Sequence, residues 1–163
     1  MMRRLLFFIT LFCTLLALDM GSKYYVLHDL SSKIFSEHTG RGLPVFNFFG
    51  IDFSIGLTFN RGAAWGMFAN FKNILLVVRI AIVIALFFYL IRNRAQAFPL
   101  ILILTGAVGN ILDFFIYGYV IDFLHFRFWG HSFPLFNVAD SLISVGVMFL
   151  FFNLYFKKKD ARV

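Results

Sequence analysis

Apolar residues run through this chain in four long blocks, parted by segments where glycine and polar residues gather. The first block runs from about Leu5 through Leu18 and on to Val26, and the second from Ile74 to Ile91. The third covers Phe98 to Ile116 and the fourth about Leu135 to Phe156. About 20 mainly apolar residues suffice for a helix to cross a bilayer, so the blocks predict four transmembrane helices over about 5–26, 74–91, 98–116 and 135–156. Pro99 suits a first helical turn, where its missing N–H costs nothing. In the first connecting segment, about 27–72, stretches such as Phe46-Asn-Phe-Phe and Ile55-Gly-Leu-Thr-Phe alternate around Gly40, Gly42, Pro44, Gly50, Gly56 and Gly62. Alternation with glycine breaks predicts short strands and turns. The many Phe residues there predict a small β-like saddle and a short amphipathic helix on the outer membrane interface. The second outside segment, about 117–134, is shorter and carries Asp122, Arg127 and histidines. The fold expected is therefore an all-α membrane protein with one domain over residues 1–163: four transmembrane helices, an extracytoplasmic saddle and a short interfacial helix.

Composition agrees with that pattern. The 163 residues are 61% hydrophobic and only 14% charged, against about 45–50% apolar and 25% charged in soluble domains. Twenty-five Phe residues on a water-facing surface would promote aggregation. The net charge of +7 does not point to nucleic acid, because the cations sit at block ends rather than on one basic face. Arg3 and Arg4 precede the first block, Arg92 and Arg94 follow the second, and Lys157, Lys158, Lys159 and Arg162 follow the fourth. Four spans put all three clusters on one side, the cytoplasmic one by the positive-inside rule, with both termini there. Arg-Arg followed by an apolar run also resembles a signal peptide. However, Ala17-Leu18-Asp19 is a poor cleavage site and Phe12 before Cys13 spoils a lipobox, so a retained anchor is expected. One cysteine leaves no internal disulfide or cysteine-based metal site.

Against this apolar background, Asp122 in Val120-Ile-Asp-Phe-Leu and Asp140 in Phe136-Asn-Val-Ala-Asp-Ser-Leu-Ile stand out. A carboxylate near the hydrocarbon region is costly and usually faces a protein interior or a wet cavity. Helical spacing of three and four puts Gly106, Asn110 and Asp113 on one stripe of the third span, with Thr105 and Gly109 beside it. Asn137, Asp140 and Ser144 form a second stripe with Ser141, and Asp19 and Lys23 are four apart at the outer end of the first span. Any one of these residues could be glue between helices, since glycines permit close approach and Asn bonds across contacts. Three stripes at one outer depth point instead to a site. Arg79 interrupts the second span and is expected to snorkel outward, or to pair with a carboxylate such as Asp113.

Two carboxyls a few ångströms apart cannot both ionise, so one holds a proton while the other accepts one from water. That division of labour suits peptide hydrolysis without a metal or other cofactor. His125 and His131 lack the H-E-x-x-H spacing of a zinc protease. Ser141 and Ser144 have no Lys or His at a matching helical offset, and no G-x-S-x-G occurs, so a serine-based dyad is disfavoured.

The stretches Asp19-Met-Gly-Ser-Lys23, Phe59-Asn-Arg-Gly-Ala-Ala-Trp-Gly, Gly106-Ala-Val-Gly-Asn-Ile-Leu-Asp113, Val120-Ile-Asp-Phe and Phe136-Asn-Val-Ala-Asp140 together resemble the lipoprotein signal peptidase (signal peptidase II) family. They occur in the family's order, over residues 5–156. The resemblance implies an aspartic endopeptidase of the bacterial cytoplasmic (inner) membrane. Such enzymes cut prolipoprotein signal peptides just before a diacylglyceryl-modified cysteine. It marks Asp122 and Asp140 as the catalytic pair, and Asn60, Gly62, Ala63, Gly106, Gly109, Asn110, Asp113, Asn137 and Ala139 as substrate-binding or supporting positions. Asp19 and Lys23 match a structural pair. Globomycin-type inhibitors are implied as ligands, beside prolipoprotein substrates and membrane lipids.

Three positions depart from the family pattern. Phe114 stands where Arg usually follows Asp113, and Arg61 is expected to supply part of that lost donor's role. Met20 stands in place of the usual Gln, for which there is no physical explanation, and Trp65 replaces a common Phe, a tolerable change for an interfacial aromatic. The site is expected to open laterally towards lipid, with the Phe-rich 45–71 region clamping the substrate and Asn60 bonding its backbone. A monomer is expected. Two rival readings are a small proton-coupled transporter or channel, which would show pH-gradient-dependent flux, and a scaffold whose carboxylates only join helices.

Overall fold

A computed structural model describes residues 2–36, 42–62 and 67–160. Four of its helices are long and apolar enough to cross a membrane: those within Met2–Ser36, Lys72–Arg92, Arg94–Tyr117 and Val138–Phe156. The first begins as α1, Met2–Tyr25, passes through one π-helical turn at Val26–Leu30, and continues as α2, Ser31–Ser36. The short helix expected at the interface is therefore continuous with the first span. It persists because Val26 and Ile34 are buried with Ile121 and Phe123 beneath the sheet, so burial extends the helix beyond its transmembrane stretch.

Next come strands β1, Leu43–Phe48, and β2, Ile51–Asn60, then the second and third spanning helices, α3, Lys72–Arg92, and α4, Ala97–Tyr117. Strands β3, Val120–Phe128, and β4, His131–Ser132, precede the last helix, α5, Val138–Asp160. The strands make one antiparallel sheet in the order β1-β2-β3-β4. Its two short hairpins turn at Phe49-Gly50 and Trp129-Gly130, all four residues having positive φ. That is the backbone of the two-residue turns whose twist suits antiparallel pairs.

The second outside segment thus contributes two strands that were not expected there, although Leu124-His-Phe-Arg-Phe alternates. Val120, Ile121, Asp122 and Phe123 are all buried, so the strand is covered on both faces and shows no two-residue alternation there. Helix α4 is the centre of the bundle. Most of its residues are buried, whereas α3 buries none completely, and α1, α3 and α5 all pack against it. Gly106 lets α5 come close, since a Cβ there would run into the Ala139 carbonyl and the Ile143 side chain.

Candidate active site

Strand β3 and the start of α5 bring the two aspartates together. Backbone hydrogen bonds from the Leu124 N–H to the Phe136 carbonyl (2.8 Å) and from the Phe136 N–H to the Leu124 carbonyl (3.1 Å) clip the entry of α5 onto β3. Asn137 then caps the helix. Its Oδ1 accepts the Asp140 N–H at 2.8 Å, and Asp140 Oδ2 accepts the Asn137 N–H at 3.2 Å. This reciprocal pair satisfies donors that a helix start leaves orphaned, as a capping box does. The Asn-Val-Ala-Asp motif therefore fixes the Asp140 carboxyl by local folding.

The remaining groups of Asn137 face the other acid. Its Nδ2 donates to Asp122 Oδ1 at 2.7 Å, with Asn110 Oδ1 at 3.1 Å and the Ile121 carbonyl at 3.2 Å also in reach. Asn110, on α4, donates its own Nδ2 to Asp140 Oδ1 at 2.8 Å. On the sheet side, Thr58 pairs with Asp122 and Asn60 with Val120, so Asn60 lies diagonal to Asp122 on one face. Its Nδ2 donates to Asp122 Oδ2 at 3.0 Å, while its Oδ1 accepts the Gly62 N–H at 2.9 Å. Every carboxylate oxygen of the pair is thus held. Asp122 is only 2% exposed, and burial, with the neighbouring Asp140 charge adding to it, pushes its carboxyl up to about 7. Hydrogen bonds from Asn60 and Asn137 oppose that rise without cancelling it.

Behind the pair lies an ion cluster. Lys23 Nζ, 1% exposed, sits 2.7 Å from Asp19 Oδ2, 2.9 Å from Asp113 Oδ2 and 3.1 Å from Asn110 Oδ1. Those acceptors match the three donors of an ammonium. Asp19 Oδ1 accepts the Ala139 N–H at 2.8 Å, and Asp113 Oδ2 accepts the Ile121 N–H at 3.2 Å. The cluster joins α1, α4, β3 and α5 and fixes the elements that carry the acids. Gly109 faces it, because a Cβ at that position would meet Asp19 Oδ2 at 2.5 Å.

Gly62 is buried, Arg61 beside it is exposed, and Ala63 and Trp65 lie outside the described residues. Phe114 is buried, so its position offers no donor to the site. Arg79 does not pair with Asp113, whose ion-pair partner is Lys23: it is half-buried, and its Nη2 reaches the segment before α3 and donates to the Gly62 carbonyl at 2.7 Å. With Asn110 it supplies the polar wall of a cleft of about 180 Å³, otherwise lined by Ile82, Leu86, Ile103, Ala107 and Ile143 of α3, α4 and α5. The sequence signal for Arg79 was its isolation in the most apolar of the four spans, mean hydropathy 3.0. The His125 ring, Nε2 2.7 Å from Ser132 Oγ, belongs to the sheet and does not reach the acids. Among the described residues no group of three His, Cys, Asp or Glu side chains could hold a metal ion.

Comparison with known proteins bears on this geometry. The family described as Signal peptidase (SPase) II matches residues 11–156. The lipoprotein signal peptidase of Chlamydia muridarum is 40% identical over 168 residues, covering 98% of this chain and 97% of that protein. A Chlamydia trachomatis serovar L2b protein of the same name is 38% identical over 159 residues, covering 93% and 94%. Two solved bacterial membrane enzymes have similar folds. One gives a TM-score of 0.77 at 26% identity, covering 94% of this chain and 90% of the other; the second gives 0.68 at 27%, covering 90% and 91%.

Proposed function

Since the chain belongs to the signal peptidase II family, we propose that it is an aspartic endopeptidase of the bacterial inner membrane, with Asp122 and Asp140 as its catalytic pair. Its substrates are diacylglyceryl-modified prolipoproteins, which it relieves of their signal peptides. The observation that carries this reading is Asn137, which bonds one carboxyl through its side-chain amide and the other through its backbone.

Burial favours the neutral form of a carboxyl and a second acid alongside favours it further, so the pair shares one proton near neutral pH. The ionised member takes a proton from water as the water oxygen attacks the scissile carbonyl carbon. The protonated member gives its proton to the carbonyl oxygen, producing a neutral gem-diol. Collapse of the diol returns one hydroxyl proton to the carboxylate, breaks the C–N bond and leaves the amine with the other acid's proton. Asn110, Asn60 and Asn137 keep the carboxyls aimed during these transfers, and such positioning is a large part of enzymatic rate.

The apolar cleft between α3, α4 and α5 meets the acids at Asn110, which suits an apolar substrate arriving sideways from the bilayer. Gly62, Ala63 and the exposed Arg61 would border the bound peptide, with Gly106, Gly109, Asp113 and Ala139 supporting the acids and Asp19 and Lys23 bracing the bundle. Both termini are cytoplasmic, and the sheet lies on the opposite side. The single domain acts as a monomer and needs no cofactor. The test is incubation of purified protein with a diacylglyceryl-modified prolipoprotein, with and without globomycin. Cleavage ahead of the lipidated cysteine, blocked by the inhibitor, is expected; intact substrate, or proton flux in vesicles without peptidase activity, would overturn the proposal.

A further inference from the structure

A lone arginine inside an apolar span is costly and marks a functional site with a definable partner. Arg79 has such a partner, and hydrogen bonds lead from it to an acid. Its Nη2 holds the Gly62 carbonyl at 2.7 Å, the Gly62 N–H holds Asn60 Oδ1 at 2.9 Å, and Asn60 Nδ2 holds Asp122 Oδ2 at 3.0 Å. The Asn60–Gly62 turn leaves the sheet after its last pairing with β3, at Asn60 and Val120, so the tether from α3 fixes it where the ladder has ended. The ladder holds the Asn60 backbone, and the tether adds a hold on the Gly62 N–H that orients the Asn60 side-chain amide towards the carboxylate.

We propose that Arg79 is a positioning residue for the acid pair: by gripping the Gly62 carbonyl it keeps the Asn60 amide on Asp122. This rests on the catalytic pair proposed above. It also gives α3 a role in the site, joining the lipid-facing wall of the cleft to the chemistry. The acidic charges acting on the guanidinium are Asp140 on α5 and Asp122 on β3. Lys23 on α1 lies one hydrogen bond beyond Asn110, and Asp19 on α1 and Asp113 on α4 lie behind Lys23.

The test is steady-state cleavage of a lipid-modified prolipoprotein by purified Arg79→Met, Arg79→Lys, Asn60→Ala and the Arg79→Met/Asn60→Ala double variant. Thermal unfolding in detergent serves as the fold check. Arg79→Met is expected to lower kcat on the order of 100-fold with KM little changed, the scale of a small misplacement of a catalytic group. The acidic limb of its pH–rate profile should move to higher pH, because a cation near the acids is gone. Arg79→Lys keeps the charge and a donor and should recover most of the rate and the original limb. The double variant should lose no more than Asn60→Ala alone, since the two act in series. Wild-type kcat and pH profile in a folded Arg79→Met protein, or losses that multiply in the double variant, would overturn the proposal. Should Arg79→Met not fold, the same cycle built with Arg79→Gln, which loses the charge and the reach, decides: a loss shared with Asn60→Ala supports the tether, and an unchanged rate or multiplied losses overturn it. Asp122→Asn, assayed alongside, keeps the questions apart. Turnover there removes the acid pair itself, whereas an inactive Asp122→Asn beside an indifferent Arg79 removes only the tether.

Discussion

Asn137 donates its side-chain amide to Asp122 at 2.7 Å while its backbone N–H and Oδ1 hold Asp140 through the first turn of α5. One residue thus sets the separation of the two acids and starts the helix that carries one of them. Its two tasks can be separated. Asn137→Ala should lower kcat by about 100-fold or more and cost about 1 kcal/mol for the lost cap. Asn137→Ser can cap the helix but cannot reach Asp122 as the amide does, so the melting temperature should return and the activity should not. Recovery of both in the serine variant would show that the bond to Asp122 is dispensable.

Asp122 is expected to trade stability for chemistry. Its folded-state carboxyl lies at about 7, raised by burial and then by Asp140, whereas an unfolded aspartate sits near 3.9. A raised carboxyl means that the folded state binds the extra proton, so its contribution to stability falls as pH rises from about 4 to about 7. The difference is on the order of a few kcal/mol. Asp122→Asn should therefore melt higher than the native protein at pH 8, with the gain shrinking towards pH 4, while being inactive throughout. Melting curves across that range check this; a variant less stable at pH 8 would contradict it.

Lys23 is held by two carboxylates and an amide oxygen at the centre of the bundle. Removing one partner of a buried ion cluster strands the rest and costs about 3–5 kcal/mol. Lys23→Met should thus accumulate poorly or melt well below the native protein. Asp113→Asn should be milder, because Asp113 uses one oxygen for Lys23 and Ile121 and an amide can still present an acceptor there. Equal losses in the two variants would count against the lysine as the organising charge.

Arg61 is exposed beside the buried Gly62, a position from which it can meet bound peptide without holding the fold. Arg61→Ala should weaken processing or globomycin binding well beyond Lys33→Ala, with melting unchanged in both. Equal effects would leave Arg61 without a substrate role.

How much of this could be read from the residues follows from how each signal arises. Spanning helices announce themselves by length and apolarity, and α3 and α4 begin and end within two residues of the expected blocks. Helical spacing also put Asn110 and Asp113 on one face and Asn137 and Asp140 on another, and the structure joins those faces at Asn110. Strand β3 carried a partial signal, the alternation of Leu124-His-Phe-Arg-Phe, but its first four residues are buried on both faces and break the period. The continuation of α1 to Ser36 was hidden because it depends on packing beneath the sheet, a contact distant in sequence. The bond from Arg79 to Gly62 joins residues 17 apart, one on α3 and one in the segment before it, and no local pattern records it.

The most direct measurement is single-turnover cleavage of a diacylglyceryl-modified prolipoprotein by the native protein, Asp122→Asn and Asp140→Asn, each shown to be folded in the same detergent. The native protein should release the signal peptide and both variants should release none above background. Turnover by either folded variant at more than a small fraction of the native rate would contradict the shared-proton acid pair.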